Sequence, residues 1–93
     1  MSRQMFRYEV PVDDAVHLLP LTSDPVAVAI GGSNAYGYVM EFWAEHDDRE
    51  QVGRVRAFRV FGTGHLLPDG GRWVGTCPRT SSGFVFHLYE VTP

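Results

Sequence analysis

The sequence holds a single cysteine, Cys77, and no lysine, so all eight of its basic residues are arginine. One cysteine excludes an internal disulfide framework and a cysteine-based zinc knuckle. The absence of lysine is explained most simply by a GC-rich coding genome, because arginine codons are rich in G and C. No apolar run approaches the roughly 18 residues of a transmembrane helix, and the N-terminus lacks the apolar segment of a signal peptide. We therefore expect no membrane association.

The length and charge of the chain predict one small acidic domain. Its 93 residues are 44% hydrophobic and 20% charged, an ordinary globular mixture that suffices for one modest core. The net charge of −3 argues against broad binding to DNA or RNA, since phosphate neutralisation supplies most of the affinity of such proteins. A local arginine cluster still leaves room for one anionic group.

Residue types that favour strands are spread over the whole chain. Valine supplies 12 residues and the aromatic residues another 12, and both favour pleated surfaces. No segment shows the 3.6-residue apolar period of an amphipathic helix. We therefore expect residues 1–93 to form a single all-β domain, a small antiparallel β-sandwich or partly open barrel of about seven strands. The predicted strands are residues 6–10, 16–19, 26–30, 39–46, 54–61, 72–77 and 84–91, with a flexible glycine-rich loop at residues 31–37.

One predicted hairpin joins the fourth and fifth strands. The alternation of residue types places Glu45 opposite Arg54 and Trp43 opposite Arg56, with apolar residues on the other face. This register favours pairing with glutamate as the role of Arg54 and Arg56. It also turns Arg59 toward the apolar inward face, where an arginine needs a partner or a cavity.

A second predicted hairpin joins the sixth and seventh strands. Its turn is centred near residues 80 and 81, which places Gly75 opposite Phe86 and Trp73 opposite Leu88. An aromatic ring opposite a strand glycine is a plausible packing arrangement. His87 then lies on the opposite face of the hairpin from Cys77, so the two do not form a nucleophile pair.

The most distinctive local string is Gly62-Thr63-Gly64-His65, directly after a strand. Two glycines flanking a threonine let backbone amides approach a ligand closely, and such loops can cradle anions. The string is neither a P-loop nor a dinucleotide fingerprint, because no Gly-Lys-Ser/Thr and no helix follow it. The alternative interpretation is a tight strand exit that needs a positive φ.

Arg59 and His87 complete the candidate ligand site. Arg59 stands among apolar positions beside the glycine string and supplies positive charge, while His65 and His87 supply hydrogen bonds. The predicted ligand-binding residues are therefore Arg59, Gly62, Thr63, Gly64, His65 and His87. A histidine in such a position is also often a hydrogen-bonded structural residue, and that alternative stays open for both.

Catalytic and metal-binding patterns are not visible in the sequence. Neither His17 nor His46 has another histidine two or four positions away, and both are predicted to be exposed strand residues. Cys77 precedes a proline and has the character of a hydrophobic residue at the end of a strand. We therefore predict no metal, no cofactor and no catalytic constellation, and an enzyme that uses His65 and His87 is the weakest alternative.

Several strings of the sequence together form a family pattern. They are Arg-Val-Phe-Gly-Thr-Gly-His (59–65), Leu-Pro (67–68), Trp-Val-Gly-Thr (73–76) and Phe-His-Leu-Tyr-Glu (86–90), with Tyr-Glu-Val (8–10) and Phe-Trp-Ala (42–44) before them. With this pattern the sequence resembles a family of small uncharacterised proteins found in bacteriophages and their bacterial hosts. The resemblance covers most of the chain. It implies a phage-type accessory protein in the cytoplasm of a bacterial host, active in host takeover or against host defence.

Three functions follow as expectations. The first is a non-enzymatic module that binds an anionic small molecule, such as a nucleotide, at the candidate site. The second is a protein-interaction or virion accessory module that binds a host protein through its loops and a sheet edge, with no small-molecule ligand. The third is the enzyme named above. Because a small sheet domain has exposed edges, we also expect a homo-oligomer.

Overall fold

The computed structural model describes residues 2–31, 37–49 and 53–93. The described residues contain seven strands and no helix. Every predicted strand overlaps an observed one. The strands are β1 (Arg3–Pro11), β2 (His17–Leu21), β3 (Pro25–Ile30), β4 (Val39–Asp47), β5 (Arg54–Gly62), β6 (Arg72–Thr76) and β7 (Phe86–Val91).

The strands form two antiparallel sheets that pack face to face. The first sheet has the order β1-β4-β3 and the second has the order β2-β5-β7-β6. Neither sheet closes into a barrel within the described residues, so the sandwich alternative of the predicted fold is confirmed. No helix of the described part of the chain is long and apolar enough to cross a membrane.

The core lies between the two sheets and is centred on an aromatic pair. The rings of Phe42 on β4 and Phe58 on β5 are both fully buried, and their centroids lie 5.0 Å apart. At one side of this pair the Cys77 thiol contacts Met40 Sδ at 3.0 Å. The buried cluster consists of Val10, Leu21, Met40, Phe42, Ala44, Phe58, Val60, Cys77 and Leu88.

The predicted hairpin of β4 and β5 is wrong, because these strands belong to different sheets. Both neighbours of β4 are other strands, β1 and β3, and Glu45 pairs with Arg3 instead of Arg54. Arg56 pairs with Glu90 of β7 instead of meeting Trp43. The alternation of apolar and polar residues shows which side chains of a strand face the core. It does not show whether the residues that they contact belong to a neighbouring strand or to the opposite sheet. The middle of this connection, residues 50–52, lies outside the described residues, as do residues 32–36 of the predicted loop.

The inward orientation predicted for Arg59 is also wrong. Phe58 and Val60 are the β5 residues that join the core cluster, so Arg59 between them points to the outer face of the second sheet. Its same-face neighbours Ala57 and Phe61 are nevertheless only 1% and 2% exposed. On this outer face Arg59 is therefore flanked by two buried apolar residues.

The hairpin of β6 and β7 is confirmed, but its predicted register is shifted. Trp73 lies opposite Tyr89, and Gly75 lies opposite Leu88, with a bulge between residues 73 and 75. A bulge adds one residue to one strand, and no local sequence signal announced it here. Gly75 is consequently covered by Val28 of the opposite sheet and not by Phe86.

Candidate functional site

The turn at the end of β5 is built around Gly64. The His65 N–H donates to the Gly62 carbonyl oxygen at 3.1 Å, which closes a four-residue turn over residues 62–65. Gly64 is the third residue of this turn and has a φ of 92°, as a type II turn requires. The positive φ expected of a tight strand exit is therefore present. Within the described residues the Gly64 N–H has no acceptor, so it is free to donate to a ligand.

The imidazole of His65 folds back onto the start of this turn. The Gly62 N–H donates to His65 Nδ1 at 3.2 Å, which requires a lone pair on that nitrogen and places the proton on Nε2. A Cβ on Gly62 would lie 3.1 Å from His65 Cε1, so glycine allows the ring to approach. The turn thereby presents an Nε2–H donor beside the Gly64 amide.

His87 lies opposite the turn on β7, between two threonines. Its Nε2 is 2.8 Å from Thr63 Oγ1, and its Nδ1 is 2.8 Å from Thr76 Oγ1. Trp73 Nε1–H donates to Thr76 Oγ1 at 2.9 Å, and the Thr63 hydroxyl reaches the Val85 carbonyl oxygen at 3.3 Å. One assignment of donors and acceptors satisfies every group: the Thr76 hydroxyl donates to His87 Nδ1, His87 Nε2–H donates to the Thr63 hydroxyl, and the Thr63 hydroxyl donates to the Val85 carbonyl oxygen. Both ring nitrogens are thus engaged, and His87 fixes the position of Thr63.

A small cavity, which we call the turn cavity, lies between the turn and β7, and most of its wall is apolar. Its volume is about 150 Å³, and His87, Leu67 and Tyr89 form its walls together with the four turn residues. Five of the six predicted site residues line it: Gly62, Thr63, Gly64, His65 and His87. The fold therefore brings together residues that are up to 25 positions apart in the sequence.

On the other side of His65 lies a larger and mainly apolar cavity. Its volume is about 310 Å³, and it shares Gly62, Thr63 and His65 with the turn cavity. Its remaining walls include the aromatic side chains of Tyr38, Phe84 and Phe86.

The aromatic walls of this cavity contact one another. The rings of Tyr38 and Phe86 lie 5.6 Å apart, and those of Phe84 and Phe86 lie 6.2 Å apart. The Tyr38 hydroxyl lies 2.8 Å from the Ser82 hydroxyl, and this hydrogen bond lowers the pKa of the phenol. These aromatic residues were not predicted as site residues. The sequence signal for two of them was Phe84-Val85-Phe86, in which only Phe86 was given a role, opposite Gly75.

Arg59 does not line the turn cavity, but it pairs across the strands with Tyr89, which does. Its guanidinium carbon is 4.8 Å from the centroid of the Phe61 ring. Phe61 pairs with His87 across the strands, and Arg59 pairs with Tyr89 in the next row. Within the described residues Arg59 has no carboxylate partner, and its Nε is buried without a hydrogen bond. The positive charge that the sequence predicted near the glycine turn is therefore present, and no acid of residues 2–31, 37–49 and 53–93 pairs with it.

A second polar cluster, at the far end of β5, neutralises its own charges. Arg56 donates to both carboxylate oxygens of Glu90 at 2.8 Å, and Arg72 donates to the same carboxylate at 2.7 Å. Asp24 lies 2.8 Å from Arg56. These arginines hold the pKa values of Glu90 and Asp24 below their usual range. The larger cavities at this end are lined by the cluster, whose carboxylates compete with any incoming anion.

The other titratable side chains considered in the sequence have local partners. His17 lies 2.8 Å from Asp13, and the His46 ring stacks on Phe6 at 4.5 Å, so both are half-buried and not exposed as predicted. Cys77 is 1% exposed, and burial raises the pKa of its thiol. Within residues 2–31, 37–49 and 53–93, no three histidine, cysteine, aspartate or glutamate side chains are placed to hold a metal ion.

The fold and the cavity pair define a small two-sheet β-sandwich with a candidate ligand site at the end of one strand. A family model described as a domain of unknown function (DUF7352) matches residues 1–93, and the chain belongs to this family. Membership of a family of uncharacterised proteins is thereby confirmed. Neither a curated protein nor a solved structure matches the chain.

Proposed function

We propose that the protein is a non-enzymatic module that binds a small anionic ligand with an aromatic ring, such as a nucleotide. The proposal depends most on one observation: Thr63 and His65 line both the turn cavity and the larger, aromatic cavity. A ligand that places its ring in the aromatic cavity therefore reaches the donors of the turn cavity with an attached anionic group.

The aromatic cavity suits a planar ring. Tyr38, Phe84 and Phe86 are among its lining residues, and stacking a base on an aromatic side chain contributes about 1–3 kcal/mol. Phe84 is 60% exposed without a ligand. A stacked base would remove this apolar surface from water.

The turn cavity offers hydrogen-bond donors for an anionic group. The Gly64 N–H and the His65 Nε2–H belong to the turn at its wall, and such backbone concavities bind anions. Arg59 adds a positive charge one row away, without a competing carboxylate among the described residues. Hydrogen bonds from charged donors to phosphate are roughly twice as strong as neutral ones.

The arrangement around His87 supports a structural role more than a catalytic one. Thr63 next to His87 Nε2 resembles a nucleophile beside its base. The third group, however, is the neutral hydroxyl of Thr76, whereas a carboxylate would stabilise the imidazolium formed in catalysis. The enzyme alternative therefore remains the weakest.

A protein-interaction module is the second candidate. It is supported by apolar side chains at the surface near the turn: Leu66 is 93% exposed, Leu67 is 49% exposed and Trp73 is 59% exposed. Exposed apolar patches of this kind commonly mark interfaces with other proteins. For either candidate, the sequence resemblance implies an accessory role of a phage protein in the bacterial cytoplasm, in host takeover or against host defence.

Native mass spectrometry of the freshly purified protein, followed by titration with a nucleotide panel, tests the proposal. We expect the wild-type protein to carry or bind such a ligand, and the Arg59→Ala and His65→Ala variants to lose it while remaining folded. Arg54→Ala is the matched control, since Arg54 is an exposed arginine at the other end of β5. Failure of the wild-type protein to bind any nucleotide would overturn the proposal and favour the protein-interaction candidate.

A further inference from the structure

Among the described strands, β1 has one edge without a partner. It pairs with β4 on one side, and no described strand pairs with its other side. Six of its first seven positions, from Arg3 onward, are exposed and the remaining one, Tyr8, is half-buried; Met5 is 54% exposed and Phe6 is 37% exposed. A long unpaired edge is a template for another strand, and proteins normally cover or disrupt it.

The hydrogen bonds to β4 show which groups face this open edge. The Asp48 N–H donates to the Ser2 carbonyl at one end of the pairing, and the Val12 N–H donates to the Tyr38 carbonyl at the other. Hydrogen-bonded and non-hydrogen-bonded pairs alternate along an antiparallel ladder. The even-numbered residues of β1 therefore bond to β4. The odd-numbered residues direct their main-chain groups outward: Arg3, Met5, Arg7, Glu9 and Pro11. Pro11 offers only its C=O, because proline has no N–H.

We propose that a second copy of the chain covers this edge, with the two β1 strands antiparallel about a two-fold axis at Phe6. In this register Arg3 lies opposite Glu9 of the partner subunit, and Met5 lies opposite Arg7 of the partner subunit. All of these residues direct their main-chain groups outward, and each such pair exchanges two hydrogen bonds. The opposite charges at Arg3 and Glu9 meet twice, once on each side of the axis.

The neighbouring registers are less favourable. An axis at Met5 places Arg3 opposite Arg7, and an axis at Arg7 places that arginine opposite its own copy. Like charges directly opposite each other are destabilising. An axis at Tyr8 pairs Arg7 with Glu9 but places Met5 opposite Pro11, which has no N–H to donate.

Phe6 also favours the proposed axis. In a non-hydrogen-bonded antiparallel pair the facing side chains approach most closely, so Phe6 would contact Phe6 of the partner subunit. Its ring already stacks on His46 at 4.5 Å, which holds it in place for that contact. The result is a continuous sheet with the strand order β3-β4-β1 followed by the same strands of the second copy in reverse.

This dimer is independent of the ligand site. Most of the site lies on β5, β7 and the loops next to them, on the side of the second sheet, whereas β1 belongs to the first sheet. Tyr38, the wall residue next to β4, contacts Val12, which lies outside residues 3–9 of β1 that the proposed dimer pairs. Loss of the dimer therefore leaves ligand binding unchanged, and failure of one proposal does not affect the other.

Charge reversal tests the interface. Sedimentation velocity and native mass spectrometry should show a dimer for the wild-type protein. The Arg3→Glu and Glu9→Arg variants should each be monomeric, because like charges then meet twice. An equimolar mixture of the two variants should give a mixed dimer, because opposite charges meet at both positions. This recovery also shows that both variants are folded.

Two control variants carry the same changes in charge away from the edge. Arg54→Glu matches Arg3→Glu, and Asp69→Arg matches Glu9→Arg; both controls should remain dimeric. A wild-type protein that is monomeric at its highest soluble concentration would overturn the proposal, and the edge would then be free for a foreign strand. Single variants that dimerise as strongly as the wild-type protein would overturn it equally.

Discussion

Replacing Gly75 with alanine should destabilise the protein by forcing the two sheets apart. Gly75 on β6 faces Val28 on β3 of the opposite sheet. A Cβ built on Gly75 would lie 2.5 Å and 2.9 Å from the two methyl carbons of Val28. Val28 cannot easily move these methyl groups away, because β-branched side chains are stiff at χ1. The strain must therefore be met by a shift of the backbone.

The expected cost follows from the size of the overlap. Inserting one carbon into a packed core typically costs about 1–3 kcal/mol. In a domain of this length each kcal/mol lowers the melting temperature by about 4–8 °C. The Gly75→Ala variant should show this loss in urea denaturation, with a lower midpoint and an unchanged slope.

A double-mutant cycle attributes the loss to this one contact. Val28→Ala alone should cost about 1–2 kcal/mol, because two methyl groups leave the core. In the double variant the new methyl group fills part of that space, so it should be more stable than the sum of the two single effects predicts. We expect a coupling free energy of about 1–2 kcal/mol in the favourable direction.

Gly71→Ala is the control for this cycle. A Cβ at Gly71 would lie 3.4 Å from Pro68 Cγ, an ordinary contact, and its φ is not positive. This variant should be neutral or slightly stabilising. If Gly75→Ala were as stable as Gly71→Ala, or if the cycle showed no coupling, the packing of β3 against β6 described above would be wrong.

Two further predictions concern ionisation. Arg56 and Arg72 lower the pKa of Glu90 in the folded protein. The stability that the ionised Glu90 carboxylate contributes is therefore complete above its unfolded-state pKa of about 4.3 and is lost as the pH falls through the lower folded-state pKa. Glu90→Gln should cost about 1–3 kcal/mol at neutral pH and weaken the acid dependence of the urea midpoint; an unchanged dependence would contradict this. The buried Cys77 thiol, whose pKa is raised, should react with thiol reagents only upon unfolding, and rapid labelling of the native protein would contradict its burial.

The strands and the sandwich were predictable from the sequence because alternation and turn residues are local signals. The arrangement of the strands was not, because β4 and β5 both present apolar faces to one core. The alternation of apolar and polar residues in β4 and β5 is compatible with a hairpin of the two strands. It is equally compatible with the observed arrangement, in which Phe42 packs on Phe58 from the opposite sheet. The order of strands depends on long-range pairings, such as β1 with β4, that no local pattern announces.

The candidate site was predictable where it is local. Thr63, Gly64 and His65 were identified from the glycine turn, and the structure places them around one cavity. The contact of His87 with Thr76 depends on the bulge in β6, which shifts the register and has no sequence signal. The contribution of Tyr38 depends on the packing of the start of β4 beside β7, which is again a long-range arrangement.

The central claim is that the turn after β5 and its two cavities bind an anionic ligand with an aromatic ring. Titration of the ¹⁵N-labelled protein with adenosine monophosphate, and separately with adenosine, tests it most directly. The nucleotide should shift the amide signals of Gly64 and His65 together with those of Phe84 and Phe86. Adenosine, which lacks the phosphate, should shift the signals of Phe84 and Phe86 but leave that of Gly64, which lines only the smaller cavity, unchanged. Shifts confined to the arginine cluster around Arg56, or no shifts at all, would contradict the claim.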